Sequence, residues 1–259
     1  MDSHFLIRKW YLDCVSESGD VVIVYSAELS WRALRTYYSS FLAKKDGITC
    51  RTSMAECAPE NNADDTLSIR APRLGLDGSW KQSLASVKHT ILESPAGNVE
   101  WNCVHPKAFA RVNVAGIGEF SGLGYVECLT MSIPPWRLPM NQLRWGRFLS
   151  EEDSLVWIDW QGPFATQLCI YNGIAYTSPR ITDQEISFDR YSLAVDCGLT
   201  LRSGLLADTV LPSAPLLRNL LPDSLFNIDE HKWRSRGMLT SPQVRRSGWA
   251  IHEVVHWNQ

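Results

Sequence analysis

The sequence has no surplus of basic charge. Its 25 Lys and Arg against 28 Asp and Glu leave a formal net charge of −3, which removes the electrostatic case for a nucleic-acid partner. No stretch approaches the ~20 apolar residues that a membrane span requires, and MDSHFLIRKWYLD contains no apolar run of signal-peptide length. The seven cysteines (Cys14, Cys50, Cys57, Cys103, Cys128, Cys169 and Cys197) are odd in number and include no CxxC pair. Neither a disulfide framework nor a zinc knuckle is signalled, and a cytoplasmic protein with mostly buried thiols is expected. Helical patterns do not alternate with strands, which argues against a doubly wound α/β fold. Gly122 and Gly124 have the wrong spacing for a dinucleotide fingerprint, and no glycine-rich helix start follows them. No cofactor and no metal are expected.

What the chain does have is apolar mass and indole. Apolar residues make up 45% of its 259 positions, enough for a real core, and 11 of them are tryptophan. Indoles supply flat apolar walls with a single N–H donor each. They serve either a Trp-rich core or an aromatic pocket for an apolar or cationic guest.

Period-two patterns dominate. Residues 5–12, 20–31, 66–74, 79–86 and 88–94 read as strands punctuated by Pro72, Gly75, Gly78, Pro95 and Gly97. Asp77-Gly78 carries a hairpin signal. Residues 101–114 read as a strand followed by an irregular proline bend at Pro106. Residues 154–160 and 166–171 flank Gln161-Gly162-Pro163-Phe164, and Asn172-Gly173 turns the chain again. Residues 191–201 and 248–257 complete the strands. Helices are expected only at 30–43, where Trp31, Leu34, Tyr38 and Leu42 share a face, and at 214–221 between prolines. Residues 56–65 read as an exposed loop, and Arg245-Arg246 as a solvated turn. The class is all-β: two successive antiparallel units, residues 1–133 and 134–259, each a sandwich or barrel.

His252-Glu253-Val254-Val255-His256 spells H-E-x-x-H, which binds zinc only on a helix. Trp249, Ile251, Glu253, Val255 and Trp257 alternate here as in a strand, which separates the imidazoles by ~13 Å at ~3.3 Å per residue. Bonds of ~2 Å to one zinc are then out of reach.

The chemistry-bearing stretch is SGLGYVE, residues 121–127. Gly122 and Gly124 are expected to frame a tight, positive-φ entry into a strand. Tyr125 and Glu127, two apart, then share a face. Facing an apolar cavity, Glu127 would be held protonated by desolvation, with Tyr125 orienting it. A rim position, or an ion pair with Arg144 or Arg147, is the plainer reading of the same residues.

WNCVHPKAFARVNV, FSGLGYVE and LRWGRF together resemble the hydroxyneurosporene synthase (carotenoid 1,2-hydratase) family and its lipocalin-like relatives, the tocopherol cyclases and Diels–Alderase-type cyclases. The family's G-x-G-Y-x-(D/E) element is matched by Gly122 to Glu127, and its W-x-(W/G) element by Trp145-Gly146-Arg147. SLVWIDWQGP and the D-S-L-F…W-R-S-R-G segment extend the likeness over roughly the last 60% of the chain. The resemblance implies two lipocalin-like (calycin) β-barrel units around a hydrophobic cavity. It also implies acid-initiated hydration, cyclisation or isomerisation of an apolar unsaturated substrate, with the acid at Glu127 and its partner at Tyr125. An upstream pair would fall near Trp101 or His105.

Asp159 is a candidate second cavity acid, or a solvent-facing strand residue. Trp101, Trp136, Trp145, Trp157 or Trp160 could face a carbocation, Arg144 and Arg147 could clamp an anionic tail or form structural salt bridges, and His105 could act as a base or be a satisfied loop histidine. Asp13 reads as a turn or cap residue. The partner expected is a hydrophobic small molecule, with transient membrane-surface contact. A pericyclase and a non-catalytic carrier are the competing readings.

Overall fold

A computed structural model of the chain describes residues 5–62, 64–209 and 227–257. The segment 214–221, expected to be helical, lies outside them. The chain divides into two compact units, Met1–Pro134 and Pro135–Gln259.

The first unit is one curled antiparallel sheet built from β1 (Phe5–Val15), β2 (Val21–Trp31), β3 (Leu34–Lys44), β4 (Ile48–Ser53), β5 (Glu60–Asn61), β6 (Thr66–Ala71), β7 (Leu76–Gln82), β8 (Val87–Ser94), β9 (Gly97–Val114) and β10 (Gly118–Met131). The strand order is β4-β3-β2-β1-β10-β9-β7-β6-β5, with β8 also on β9. The second unit contains β11 (Gln142–Leu149), β12 (Ser154–Gln161), β13 (Thr166–Tyr171), β14 (Ile174–Tyr176), β15 (Arg180–Ile181), β16 (Glu185–Phe188), β17 (Tyr191–Val195), β18 (Leu199–Leu205), β19 (Ile228–Ser241) and β20 (Val244–Trp257). Its order is β14-β13-β12-β11-β20-β19-β17-β16-β15, with β18 also on β19. Strand for strand, it repeats the first. The all-β class and the lipocalin-like, two-unit layout are therefore as expected.

Alternation assigns each sheet its faces. In the first unit Leu12, Cys14, Val22, Val24, Phe41, Phe120 and Val126 join one apolar core around Trp80. In the second, Phe148, Leu155, Trp157, Cys169, Leu239 and Ala250 do the same. The odd residues of β1 and β10, including Tyr11, Asp13, Tyr125 and Glu127, take the face opposite the first core.

Several local expectations change. Residues 30–43 are the end of β2, a two-residue turn and most of β3, not a helix. Arg32 turns the hairpin with φ 56° where glycine would ordinarily serve, so no breaker marks the turn. Asp77-Gly78 lies within β7, and the hairpin turn precedes it, closed by Leu74 and Gly75 donating to the Ala71 and Pro72 carbonyls. Gly122 and Gly124 sit inside β10, not at its entry, and neither has a positive φ. They are glycine for room: a Cβ would stand 2.2 Å from the Val15 carbonyl oxygen at 122 and 2.5 Å from that of Asp13 at 124. The bend at Pro106 is a bulge in continuous β9, where the β9–β10 register slips around His105. Residues 191–201 form two strands, interrupted after Val195. Arg246 is no solvated turn residue: it lies in β20 and donates to the fully buried Asp153 carboxylate at 2.9 Å. Five of the seven thiols are buried, and Cys50 and Cys197 are exposed.

His252 and His256 lie on strand β20, as the alternation required. The His252 ring stacks on Trp233 at 5.3 Å, leans on Trp157 at 6.4 Å and shares a 2.8 Å hydrogen bond with Ser235. Burial pushes this imidazole down to about 4, outweighing the nearby Asp196 and Asp183 carboxylates. Between its ordinary value and about 4, the unfolded chain accepts a proton that the folded chain refuses. The contribution to stability is therefore complete above pH ~6.5 and is lost as pH falls toward about 4, by about 3 kcal/mol in all. Thermal melts at pH 7 and pH 4.5 should show a smaller acid-induced drop in His252→Asn than in the parent. Equal drops would contradict this origin.

Candidate active site

Three of the residues expected in the site converge in the first unit. Trp101 Nε1 donates to Glu127 Oε2 at 2.6 Å, and Tyr125 Oη–H donates to the same oxygen at 2.7 Å. The register explains the meeting: Glu127 pairs with Cys103 and Leu129 with Trp101 across β9–β10, so Trp101 reaches Glu127 diagonally. Trp101 and Tyr125 are buried, and Glu127 is partly exposed. Glu127 is thus not enclosed in an apolar barrel interior as expected. It lies on the opposite sheet face among polar-tipped aromatics, because the interior positions of β10 belong to Gly124 and Val126.

The site has a second half, brought in by the strand pairing. Across β1–β10, Tyr11 lies opposite Glu127 and Asp13 opposite Tyr125. Tyr11 Oη–H donates to Asp13 Oδ2 at 3.0 Å, as Tyr125 does to Glu127. Two Tyr-x-acid triplets on antiparallel neighbours form a checkerboard of alternating phenol and carboxyl. The Tyr11 ring meets those of Tyr25 and Tyr125 edge to face, at 5.5 and 6.1 Å. Asp13 is fully buried within β1, not a turn or cap. The signal that could have found it is the echo of Tyr125-Val126-Glu127 in Tyr11-Leu12-Asp13.

Burial, with the Cys103 and Glu127 groups beside it, pushes the Tyr125 hydroxyl well above its ordinary value. It stays a neutral donor at any ordinary pH. Burial also raises the Cys103 thiol, which lies in hydrogen-bond range of Tyr125, so Cys103 is not a thiolate nucleophile. His105 is buried past Cys103 on β9. Its Nδ1 donates to the Val104 carbonyl at 2.9 Å, which leaves Nε2 as a bare acceptor, and among the described residues that atom has no hydrogen-bond partner. Burial lowers its basicity despite Asp65 nearby.

The remaining candidates belong to the second unit. Trp157 is in the core against His252, and Gly146 makes room for it, since a Cβ there would stand 2.2 Å from the indole. Trp145 is buried under the Lys232 ammonium at 5.9 Å. Arg147 is fully buried and donates to the Trp249 carbonyl at 2.7 Å. Trp136 sits in a 3₁₀ turn, Pro135–Arg137. Arg144 forms a salt bridge to Asp159 at 3.2 Å, its partner across β11–β12, and another to Asp183 at 2.6 Å. Asp159 is buried. Among the described residues, no group of three or more His, Cys, Asp or Glu side chains gathers as metal ligands would.

No protein-family model matches the sequence, and no curated protein matches it. Solved structures share its fold along nearly the whole chain. A Nitrosomonas europaea protein assigned as an AttH superposes with a TM-score of 0.63 at 8% identity, over 98% of this chain and 94% of its own. Kievitone hydratase from Nectria haematococca gives 0.59 at 9% identity, over 98% and 90%. CghA gives 0.60 at 9% identity, over 97% and 88%.

Proposed function

We propose that this chain is a hydratase- or cyclase-type enzyme that transfers a proton from Glu127 to an apolar unsaturated substrate. The observation that carries the reading is the convergence of Trp101 and Tyr125 on a single oxygen of Glu127. Two donors already point at Oε2, which favours Oε1 as the oxygen that carries the proton to be transferred. As it leaves, negative charge develops on the carboxyl group and both donated bonds strengthen. Stabilisation thus grows toward the transition state. The proton adds to an alkene carbon and the neighbouring carbon becomes cationic. An aromatic face turned toward that carbon, from Trp101 or the neighbouring Tyr11 and Tyr125 rings, would favour the charge. Water attack forms the C–O bond and returns a proton to the carboxylate, giving hydration. Attack by an internal double bond followed by proton loss gives cyclisation. Neither route needs a further cofactor.

The likeness to kievitone hydratase supports the fold's suitability for such chemistry, and CghA has been solved with Sch210972. At 8–9% identity the support is architectural.

The test is turnover in D2O on a panel of prenylated and polyene substrates, read by mass spectrometry. A product carrying one carbon-bound solvent deuterium is expected. A product without deuterium would point to a pericyclase, and saturable binding without product to a carrier. Tyr125→Phe should retain turnover at a rate lower by about 10- to 100-fold, since one of the two donors to Oε2 remains. An unchanged rate would remove Tyr125 from the mechanism.

A further inference from the structure

We propose that the second unit holds a separate binding site for a primary ammonium group, in an open depression of about 460 Å³ walled by Asp159, Gln161, Gln167 and Ser178. The argument starts from Asp159, buried in the wall of the depression and paired with Arg144 at 3.2 Å. A carboxylate only accepts hydrogen bonds. The groups that Gln161 and Gln167 turn toward it must therefore be their amide nitrogens, at 2.7 and 3.1 Å. Fixing the nitrogens fixes the carbonyls. Each glutamine presents Oε1 away from Asp159, and among the described residues neither oxygen accepts a hydrogen bond.

Asp159 itself is not saturated. Oδ2 takes Arg144 and Gln161, whereas Oδ1 takes Gln167 alone. The Ser178 hydroxyl adds a further acceptor, on a turn residue held at φ 58°. The depression therefore offers four acceptor oxygens: Asp159 Oδ1, the two glutamine Oε1 atoms and the Ser178 hydroxyl. The Arg144 guanidinium that pairs with Asp159 is shared with a second carboxylate, Asp183 at 2.6 Å, so Asp159 does not hold that cation alone.

A ligand that complements this wall brings several N–H donors and a positive charge in a small volume. A protonated primary amine does so with three donors on one atom. A neutral alcohol brings one donor and no charge. A divalent metal would demand more carboxylate or imidazole than the depression supplies. Ala165, the one apolar residue of the wall, gives the alkyl part of such an amine a small apolar surface.

The test is a titration of the intact protein at pH 7 with n-butylammonium chloride and, separately, with butan-1-ol. Binding is followed by calorimetry and by NMR of the glutamine side-chain amides. Saturable amine binding with a Kd of about 1 mM or tighter is expected, with shifts centred on Gln161 and Gln167 and at least tenfold weaker binding of the alcohol. Gln167 is exposed, so Gln167→Leu should fold normally and lose amine affinity about tenfold. The proposal is overturned by a titration that does not saturate, by equal affinity for the alcohol, or by undiminished amine binding in Gln167→Leu. The readout does not depend on any activity of the Glu127 site.

Discussion

Glu127→Gln is expected to lower kcat by about 10³-fold, with substrate affinity held within about threefold, on whichever substrate the deuterium screen returns. The substitution is narrow. A glutamine carbonyl accepts the Trp101 and Tyr125 hydrogen bonds as Oε2 does, so the local geometry and the shape presented to substrate should persist. What is lost is the transferable proton. Removing a positioned general acid costs on the order of 10²- to 10⁴-fold, or about 3–5 kcal/mol in the barrier. The loss should fall on kcat rather than on KM, because the proton moves only in the chemical step. Single-turnover measurements with the parent and the variant separate the two. Deuterium incorporation in the variant at more than a few per cent of the parental rate would assign the proton to another group, with Asp13 the next to test.

The asymmetry between the two carboxyls makes that order natural. Asp13 is fully buried, whereas Glu127 is partly exposed. Asp13 reaches the site through Tyr11, whose ring touches that of Tyr125. In the proposed mechanism Asp13 positions its neighbours, and Glu127, the partly exposed carboxyl, is the donor.

How much of this was legible in the sequence differs by element. Strands such as β6 declared themselves through alternation and bounding turns, because one face of each sheet must be apolar and side chains repeat every two residues. The hairpin at residues 30–43 did not. Its turn is carried by Arg32 in a left-handed conformation, without Gly, Asn or Pro, and Trp31, Leu34, Tyr38 and Leu42 fall by coincidence at helical spacing. The duplication of strand order was invisible because core positions ask only for apolar volume, and Trp80 in one unit and Trp157 in the other satisfy that demand differently. Glu127 and Tyr125 could be placed on one face from their spacing alone. Which face that was could not, since it depends on Gly124 turning inward toward Trp80. Tyr11 and Asp13 carried one sequence sign, their echo of Tyr125 and Glu127, but not their place beside them. The pairing of β1 with β10 joins residues more than 100 positions apart, and local sequence carries no trace of such a register.

Trp80→Ala should be among the most destabilising single changes in the first unit, costing about 3–5 kcal/mol. The indole is fully buried and enters space left by small residues. A Cβ on Gly78 or on Gly124 would stand 2.8 or 2.9 Å from it. Its Nε1 donates to the Asp13 main-chain carbonyl at 2.7 Å. Truncation therefore opens a large cavity and strips a buried acceptor of its partner, and the two costs add because neither Gly78 nor Gly124 has a side chain with which to fill the gap. Trp80→Phe separates them. It keeps most of the apolar volume and loses the N–H, so it should cost about 1–3 kcal/mol. Gly124→Ala attacks the same contact from the other side, by driving a methyl group toward the Asp13 carbonyl, and should cost about as much as Trp80→Phe or more. Denaturant melts of the three variants, followed by near-UV signals, test the ranking, and a Trp80→Ala midpoint indistinguishable from that of the parent would refute it. Because the Trp80 hydrogen bond ends on Asp13, any Trp80→Phe protein that remains folded should also transfer protons more slowly. The interior indole would then be tied to the chemistry on the other face of its own sheet.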